Sequence, residues 1–151
     1  MKALTMYEPW ATLLVLGYKH FETRSWQTAY RGPLAIHAAQ NGNYMRKLPA
    51  FLEHAGLPAE LADTLLWAQG QFIGLVMLVD CYATGPQFVA QQQLSDRETA
   101  LGDFTIGRFA WDMRHRLILP DPISFLGARM LWPVPCAMAQ QLLALAVIRG
   151  V

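Results

Sequence analysis

The stretch of the chain that decides the fold reads Gly17-Tyr18-Lys19-His20-Phe21-Glu22-Thr23-Arg24. Its alternation predicts a strand over residues 20–24, with Glu22 and Arg24 on one face and Phe21 on the other. Lys19 lies in the turn that leads into this strand. Three charged side chains of both signs are therefore expected to meet at the start of one strand.

This charged cluster has two interpretations. Arg24 offers a planar fork of donors and Lys19 a point charge, which together suit a phosphate or a base edge. Glu22 can accept a hydrogen bond from an exocyclic amine or act as a general base. Alternatively, the three residues form a structural ion pair that contributes little stability if it is exposed. Spacing alone does not choose between the two.

The segments before and after the cluster predict alternating helices and strands. A short strand over residues 3–7 precedes a helix over residues 8–17, in which Pro9 suits the first position and Gly17 the stop. A turn at residues 31–33 leads to a strand over residues 34–38. Residues 41–70 have helical character, in two amphipathic pieces that carry Met45, Leu48 and Leu52, then Leu61, Leu65 and Leu66.

The second half of the chain adds the strongest strand. Residues 72–82 are almost continuously apolar, which indicates burial on both faces. The polar stretch 87–103 predicts a loop with a helical turn. A strand over residues 108–119 should stop at Pro120-Asp121-Pro122, and a short strand (129–134) and a helix (137–148) follow. This order predicts an α+β fold built as a small, partly closed mixed barrel with flanking helices.

Composition restricts the class of protein. Hydrophobic residues make up 54% of the 151 residues and charged ones 15%, which is enough for one buried core and excludes disorder. No apolar run approaches the roughly 20 residues of a membrane-spanning helix, and Glu8 and Pro9 interrupt any signal peptide. We expect a single cytoplasmic domain over residues 1–151, without membrane association.

Charge is unevenly distributed along the chain. Residues 1–50 carry six Lys/Arg and two Glu, a net +4, whereas residues 51–100 carry one Arg and six acids, a net −5. Residues 101–151 carry five Arg and three Asp, a net +2. The two ends of the chain can therefore form a shared basic patch, or these charges are solvated independently.

Aromatic residues near the cluster are candidate ligand contacts. Trp10, Trp26 and Trp111 can each stack a base, which contributes about 1–3 kcal/mol per base, and each can equally belong to the core. Ser25 lies between Arg24 and Trp26 and joins the candidate binding set. His37 ends a strand and is either a site residue or a hydrogen-bonded core histidine.

Neither a metal nor a cofactor is expected. The four histidines are scattered, and the two cysteines, Cys81 and Cys136, lack any metal-binding spacing. No phosphate-binding glycine loop and no nucleophile elbow are present.

Three segments follow one another in the chain: Glu8-Pro9-Trp10-Ala11, Gly17-x-Lys19-x-x-Glu22-x-Arg24, and Tyr30-Arg31-Gly32-Pro33-Leu34-x-Ile36-His37-Ala38. Together they resemble the ASCH domain family, named for activating signal cointegrator homology, whose defining motif is GxKxxExR. The segment Gly107-Arg108-Phe109-Ala110-Trp111 is similar to bacterial members. Residues 41–70 and the C-terminal helix look like family-variable additions.

The resemblance implies a PUA-like barrel with the motif residues lining a cleft, and a role tied to RNA. The family includes an amidohydrolase that deacetylates N4-acetylcytidine, members with ribonuclease activity, and a nucleic-acid-binding domain of a coactivator. Lys19 matches the catalytic lysine of the amidohydrolase branch. That branch's threonine nucleophile is replaced here by Glu22, and Thr23 should face the opposite side of the strand, so Glu22 would have to activate water instead.

The expected function is binding of RNA or of a nucleoside or nucleotide, with hydrolysis of an amide or phosphodiester as its enzymatic form. The candidate catalytic residues are Lys19, Glu22 and Arg24. The candidate binding residues are Trp10, Ser25, Trp26, His37 and Trp111. The alternative is a non-catalytic RNA-binding or protein-interaction module, and the oligomeric state is expected to be monomer or weak homodimer through the C-terminal helix.

Overall fold

A computed structural model describes residues 1–64 and 69–148. The strands are β1 (Lys2–Met6), β2 (Phe21–Arg24), β3 (Gly32–Ala38), β4 (Gln71–Ala83), β5 (Phe109–Ser124) and β6 (Leu131–Pro133). The helices are α1 (Trp10–Leu16), α2 (Leu48–His54), α3 (Leu61–Thr64), α4 (Pro86–Gln92), α5 (Asp96–Ala100) and α6 (Cys136–Ile148), with a 3₁₀ helix at Asn43–Lys47.

The six strands form one mixed, curled sheet in the order β2-β5-β4-β3-β1-β6. β1 and β3 run parallel, with Leu4 opposite Ile36, and the other neighbouring strands are antiparallel. β2 pairs with the start of β5, so that Glu22 lies opposite Trp111. The predicted α+β fold, a partly closed barrel with helices packed outside, is confirmed.

Helix α1 packs closely on the sheet and ends where the sequence predicts. Gly17 adopts φ +86°, a conformation that favours glycine, and its N–H bonds back to Leu13 and Leu14 carbonyls. The helix can approach β4 because Gly74 has no side chain. A Cβ there would lie 2.8 Å from a methyl of Val15 and 2.6 Å from the carbonyl oxygen of Leu117.

Two apolar clusters lie against the sheet. The first joins α1 to β1, β3, β4 and β5 and contains the fully buried Trp111 and Leu14. The second joins α6 to the sheet, with Leu142 fully buried against residues that include Phe72 and Trp132. One face of the C-terminal helix therefore belongs to the core. Leu143, Val147 and Ile148 remain exposed, so the dimer face stays a prediction.

Two predictions for the second half of the chain are wrong. Residues 87–103 contain α4 and α5 rather than a loop with one turn. β5 also continues through Pro120-Asp121-Pro122 to Ser124. The register of β5 against β4 shifts here, because Ile118 lies opposite Gly74 and Ile123 opposite Phe72, so residues 119–122 form a bulge. β2 pairs only with residues 109–112, so the missing N–H groups of the two prolines leave no ladder bond unmade.

The helical character of residues 41–70 is confirmed for the described part. Met45, Leu48 and Leu52 pack with Leu13 and Leu101 in a third apolar cluster. The predicted stripe residues Leu65 and Leu66 lie outside the described residues. Over the ranges 1–64 and 69–148, no helix is long and apolar enough to cross a membrane.

Candidate functional site

The charged cluster forms around the Glu22 carboxylate. Oε2 of Glu22 lies 3.3 Å from Lys19 Nζ, and Oε1 lies 3.0 Å from Arg24 Nε. Each carboxylate oxygen therefore faces a different cation. Strand β2 places Glu22 and Arg24 on the same face, and Lys19 approaches from the link between α1 and β2.

Lys19 is almost completely enclosed, with 1% of its surface exposed. Its ammonium group donates to the carbonyl oxygen of Leu101 at 2.9 Å as well as facing Glu22. A buried ammonium requires such compensation, because desolvation would otherwise disfavour its charge. Lys19 therefore fixes the carboxylate from behind, and Glu22 and Arg24, 12% and 25% exposed, face outward.

Arg24 is held by one end of its guanidinium group. Nη2 donates to the carbonyl oxygen of Thr5 at 3.2 Å. Nε is buried close to Glu22, yet its N–H makes no hydrogen bond of acceptable geometry to any described residue. Because Nε is buried, the donors that Arg24 can offer a ligand beside the fixed carboxylate are those of its terminal amino groups, in a side chain that is 25% exposed.

A cleft of about 610 Å³ opens over this pair, and we call it the Glu22 cleft. It is lined by Thr5, Met6, Tyr7, Trp10, Glu22, Thr23, Arg24, Ser25, Trp26, Ala39, Arg108, Ala128, Arg129 and Met130. A smaller hollow of about 340 Å³ adjoins it over Lys19 and shares Trp10, Glu22 and Thr23. Six of the eight predicted site residues, Lys19 included, thus meet at one place.

Trp111 and His37 do not line the Glu22 cleft. Trp111 is fully buried, its ring stands edge-on to Trp26 at 4.6 Å, and its Nε1 donates to the Trp26 carbonyl at 3.3 Å. It supports Trp26 from behind. His37 lies in a neighbouring hollow, where Nε2 bonds to the Phe125 carbonyl at 2.8 Å and Nδ1 to Thr5 Oγ1 at 3.3 Å. Burial lowers the pKa of His37, which favours the neutral ring.

Thr23 is turned away from Glu22, as strand alternation predicts. Its Oγ1 accepts a hydrogen bond from the Asp103 N–H at 2.9 Å. This contact ties β2 to the loop that carries Asp103, and Thr23 also lines the hollow over Lys19.

Glu98 anchors the start of β2, and sequence reasoning missed it. Its carboxylate accepts the backbone N–H groups of His20 at 3.0 Å and of Phe21 at 2.8 Å. Helix α5 presents it because Ser95 caps that helix, with Oγ accepting the Glu98 N–H at 3.1 Å. The Ser-x-x-Glu spacing was a readable helix-start signal.

Arg116 is a second residue that sequence reasoning missed. It donates to the carbonyls of Leu14 at 2.9 Å, Lys19 at 3.2 Å and Met113 at 2.8 Å. Burial lowers the pKa of the Arg116 guanidinium from its usual value. This side chain joins the end of α1 to β5 and so fixes the backbone of Lys19. No local pattern in the sequence indicates these contacts.

Glu8 is buried beneath the start of α1. Its carboxyl group accepts from the backbone N–H of Thr12 at 3.0 Å and pairs with the Thr12 hydroxyl. Burial raises the pKa of Glu8 to about 7, against the lowering effect of the Thr12 hydrogen bonds. Within the described ranges, no group of three or more His, Cys, Asp or Glu is arranged to hold a metal ion.

The family model of the ASCH domain matches residues 4–111 of the sequence. This range is most of the chain and includes the whole Lys19–Glu22–Arg24 cluster. The chain belongs to the ASCH domain family.

Curated relatives of this ASCH chain include activating signal cointegrator 1 from Mus musculus, which is 35% identical over 99 residues, and from Homo sapiens, 35% identical over 86 residues. These matches cover 62% and 52% of this chain but only 16% and 14% of the relatives. The chain thus corresponds to a small part of those proteins.

The fold is shared with a solved structure, ASCH from Zymomonas mobilis. The TM-score is 0.59 at 15% sequence identity, and the match covers 95% of this chain and 94% of that one. The expected PUA-like ASCH fold is therefore confirmed, since the similarity extends over nearly the full length of both chains.

Proposed function

We propose that the Glu22 cleft binds a nucleotide unit of RNA or a modified nucleoside. One observation carries this proposal: a carboxylate fixed by two cations lines the same cleft as two indole side chains, Trp10 and Trp26. Polar groups that read an edge, placed beside aromatic faces that stack, are the combination by which proteins bind unpaired bases.

The dimensions and charges of the cleft agree with such a ligand. Its volume of about 610 Å³ lies within the usual range for small-molecule sites, roughly 300–1,000 Å³. Arg24, Arg108 and Arg129 line it, and Glu22 is the acidic residue among its described lining residues. A phosphate would meet arginine donors, and an exocyclic amine would meet the remaining lone pairs of Glu22.

Hydrolysis of an amide or phosphodiester in the same cleft is the second candidate function. It is favoured by the position of Glu22, a nearly buried carboxylate with a lysine fixed 3.3 Å away. In this form Glu22 would take a proton from water while Arg24 stabilises the developing negative charge. The non-catalytic form needs the same contacts without the water.

The test is binding by calorimetry with N4-acetylcytidine, other acylated nucleosides and short single-stranded RNAs, with product analysis in parallel. We expect Glu22→Gln and Arg24→Ala each to weaken binding about tenfold or more, since each removes a charged partner worth about 1.5–3 kcal/mol. Glu53→Gln removes the same charge from an exposed position on α2 and should leave the affinity within about twofold.

Thermal unfolding of each variant checks that the fold is retained. Binding that is indifferent to both cleft substitutions, or no binding to any of these ligands, would overturn the proposal and leave a protein-interaction module. Product that disappears in Glu22→Gln would establish the hydrolytic form.

A further inference from the structure

A second hollow lies beside the Glu22 cleft and shares a wall with it. It has a volume of about 680 Å³, and Thr5, Ala39, Ala128 and Arg129 line both spaces. Two cavities of ligand size are therefore separated by only a few residues. We call the second one the His37 hollow, since His37 lies in it.

Arg129 is the shared residue with free donors. It is exposed in the loop between β5 and β6, and it makes no hydrogen bond or ion pair with any residue that the structure describes. The other two arginines of the cleft are paired, Arg24 with Glu22 and Arg108 with Asp103 at 3.3 Å. An unpaired guanidinium group at the boundary between two cavities is placed to hold an anion that connects their occupants.

The His37 hollow offers neutral polar groups rather than charges. Gln40, Gln69 and Ser124 line it with amide and hydroxyl groups, and none of its described lining residues is acidic. Side-chain amides both donate and accept, as the edges of nucleobases require. His37 itself is committed to Phe125 and Thr5, so it forms a fixed part of the wall rather than a free contact.

We infer that the His37 hollow binds the neighbouring nucleotide of a single strand, and that Arg129 holds the phosphate joining it to the nucleotide in the Glu22 cleft. This inference rests on the proposed function and makes it more specific, because the ligand becomes an unpaired oligonucleotide rather than a free nucleoside. A duplex would keep its bases stacked and paired, whereas two separate cavities require bases that are splayed apart.

The test compares the four nucleosides with their 3′,5′-linked homodinucleotides and with RNA hexamers. We expect the dinucleotide of the preferred base to bind about tenfold more tightly than its nucleoside. Arg129→Ala should remove this gain, so that the ratio of dinucleotide to nucleoside affinity falls toward one, and Arg129→Lys should retain part of it. The salt dependence of hexamer binding should lose about 0.7 from its logarithmic slope in Arg129→Ala.

Arg97→Ala is the matched control, because it removes one positive charge from exposed α5 without touching either cavity. It should leave both affinities and the salt slope unchanged. The inference is overturned if dinucleotides bind no better than nucleosides, or if Arg129→Ala weakens both ligands equally, while sensitivity to Glu22→Gln would keep the proposed function intact. Binding that neither Glu22→Gln nor Arg24→Ala weakens overturns both the inference and the proposed function.

Discussion

The two oxygens of Glu22 face different cations, and the two contacts differ in how far the sequence predicts them. Arg24 lies two residues away on the same strand, so alternation alone brings it beside Glu22. The burial of Lys19 depends on the carbonyl oxygen of Leu101, 82 residues further along the chain. The sequence could therefore predict that the three charged residues lie close together. It could not predict that Lys19 is enclosed while Glu22 and Arg24 face outward.

His37 and Trp111 also show that the sequence does not predict what the polar atoms of a side chain contact. Trp111 was a candidate because an indole can stack a base, and His37 because it ends a strand, with a place in the core as the alternative for each. Both have their polar atoms bonded within the protein. Periodicity indicates which face of a strand a side chain occupies. It does not indicate whether a neighbouring loop, such as the one that contains Phe125, covers that face.

The Glu8 carboxyl makes protein stability depend on pH. Its pKa is raised from 4.5 to about 7 in the folded protein, so between these values the folded state holds a proton that the unfolded chain releases. The stabilisation is complete below pH 4.5 and is lost as pH rises to about 7. At 1.36 kcal/mol per pKa unit, the loss approaches about 3 kcal/mol.

Glu8→Gln lacks this titration and retains one acceptor and one donor for Thr12. The unfolding free energies of Glu8→Gln and of the native protein are measured by urea denaturation. Between pH 4.5 and pH 8, we expect their difference to shift in favour of Glu8→Gln by up to about 3 kcal/mol. Glu53→Gln, at an exposed site, should show no such trend. A difference between Glu8→Gln and the native protein that is constant with pH would contradict the prediction.

At the scale of elements, the short helix α5 fixes the strand that carries the cluster. The region was predicted as mostly loop because its sequence is polar, and polarity alone does not distinguish a loop from a capped surface helix. Ser95 and Glu98 have the spacing of a helix start. Glu98 uses its side chain differently from a capping box, since it binds the backbone of His20 and Phe21 rather than its own cap.

Glu98→Ala would leave these backbone N–H groups without their acceptor. Each unsatisfied buried donor costs about 1–3 kcal/mol, so we expect the loss of acceptor for two donors to lower the unfolding free energy by about 2–6 kcal/mol. Asp96→Ala, in the exposed first turn of the same helix, should cost less than about 1 kcal/mol. Denaturation curves for both variants make the comparison. Equal effects would show that Glu98 contributes only to helix α5.

At the scale of the whole molecule, the uneven charge distribution has a structural counterpart. From the sequence, the two positively charged ends of the chain could form one basic patch or be solvated independently. Arg24 from the first third of the chain lines the same cleft as Arg108 and Arg129 from the last third. Arg24 comes close to Arg108 because β2 pairs with β5, with Arg24 opposite Phe109. Charge counts could predict that the ends attract a common ligand, but only the topology shows where they meet.

The C-terminal helix should prove essential to the core through Leu142. This side chain is fully buried in the second apolar cluster, so Leu142→Ala should lower the unfolding free energy by about 2–5 kcal/mol. Its neighbour Leu143 is exposed, and Leu143→Ala should cost less than about 1 kcal/mol. Similar losses for the two variants, measured by urea unfolding, would contradict the packing described for α6.

The pairing of β1 with β6 has a consequence for the order of folding. The antiparallel partners of residues 2–4 are residues 131–133, which follow them by more than a hundred positions in the sequence. During synthesis on a ribosome, one edge of β1 therefore stays without its partner until β6 has emerged. An open strand edge is a template for incorrect pairing between nascent chains. We expect a chain that ends at residue 130 to aggregate, even though it already contains every described residue that lines the Glu22 cleft.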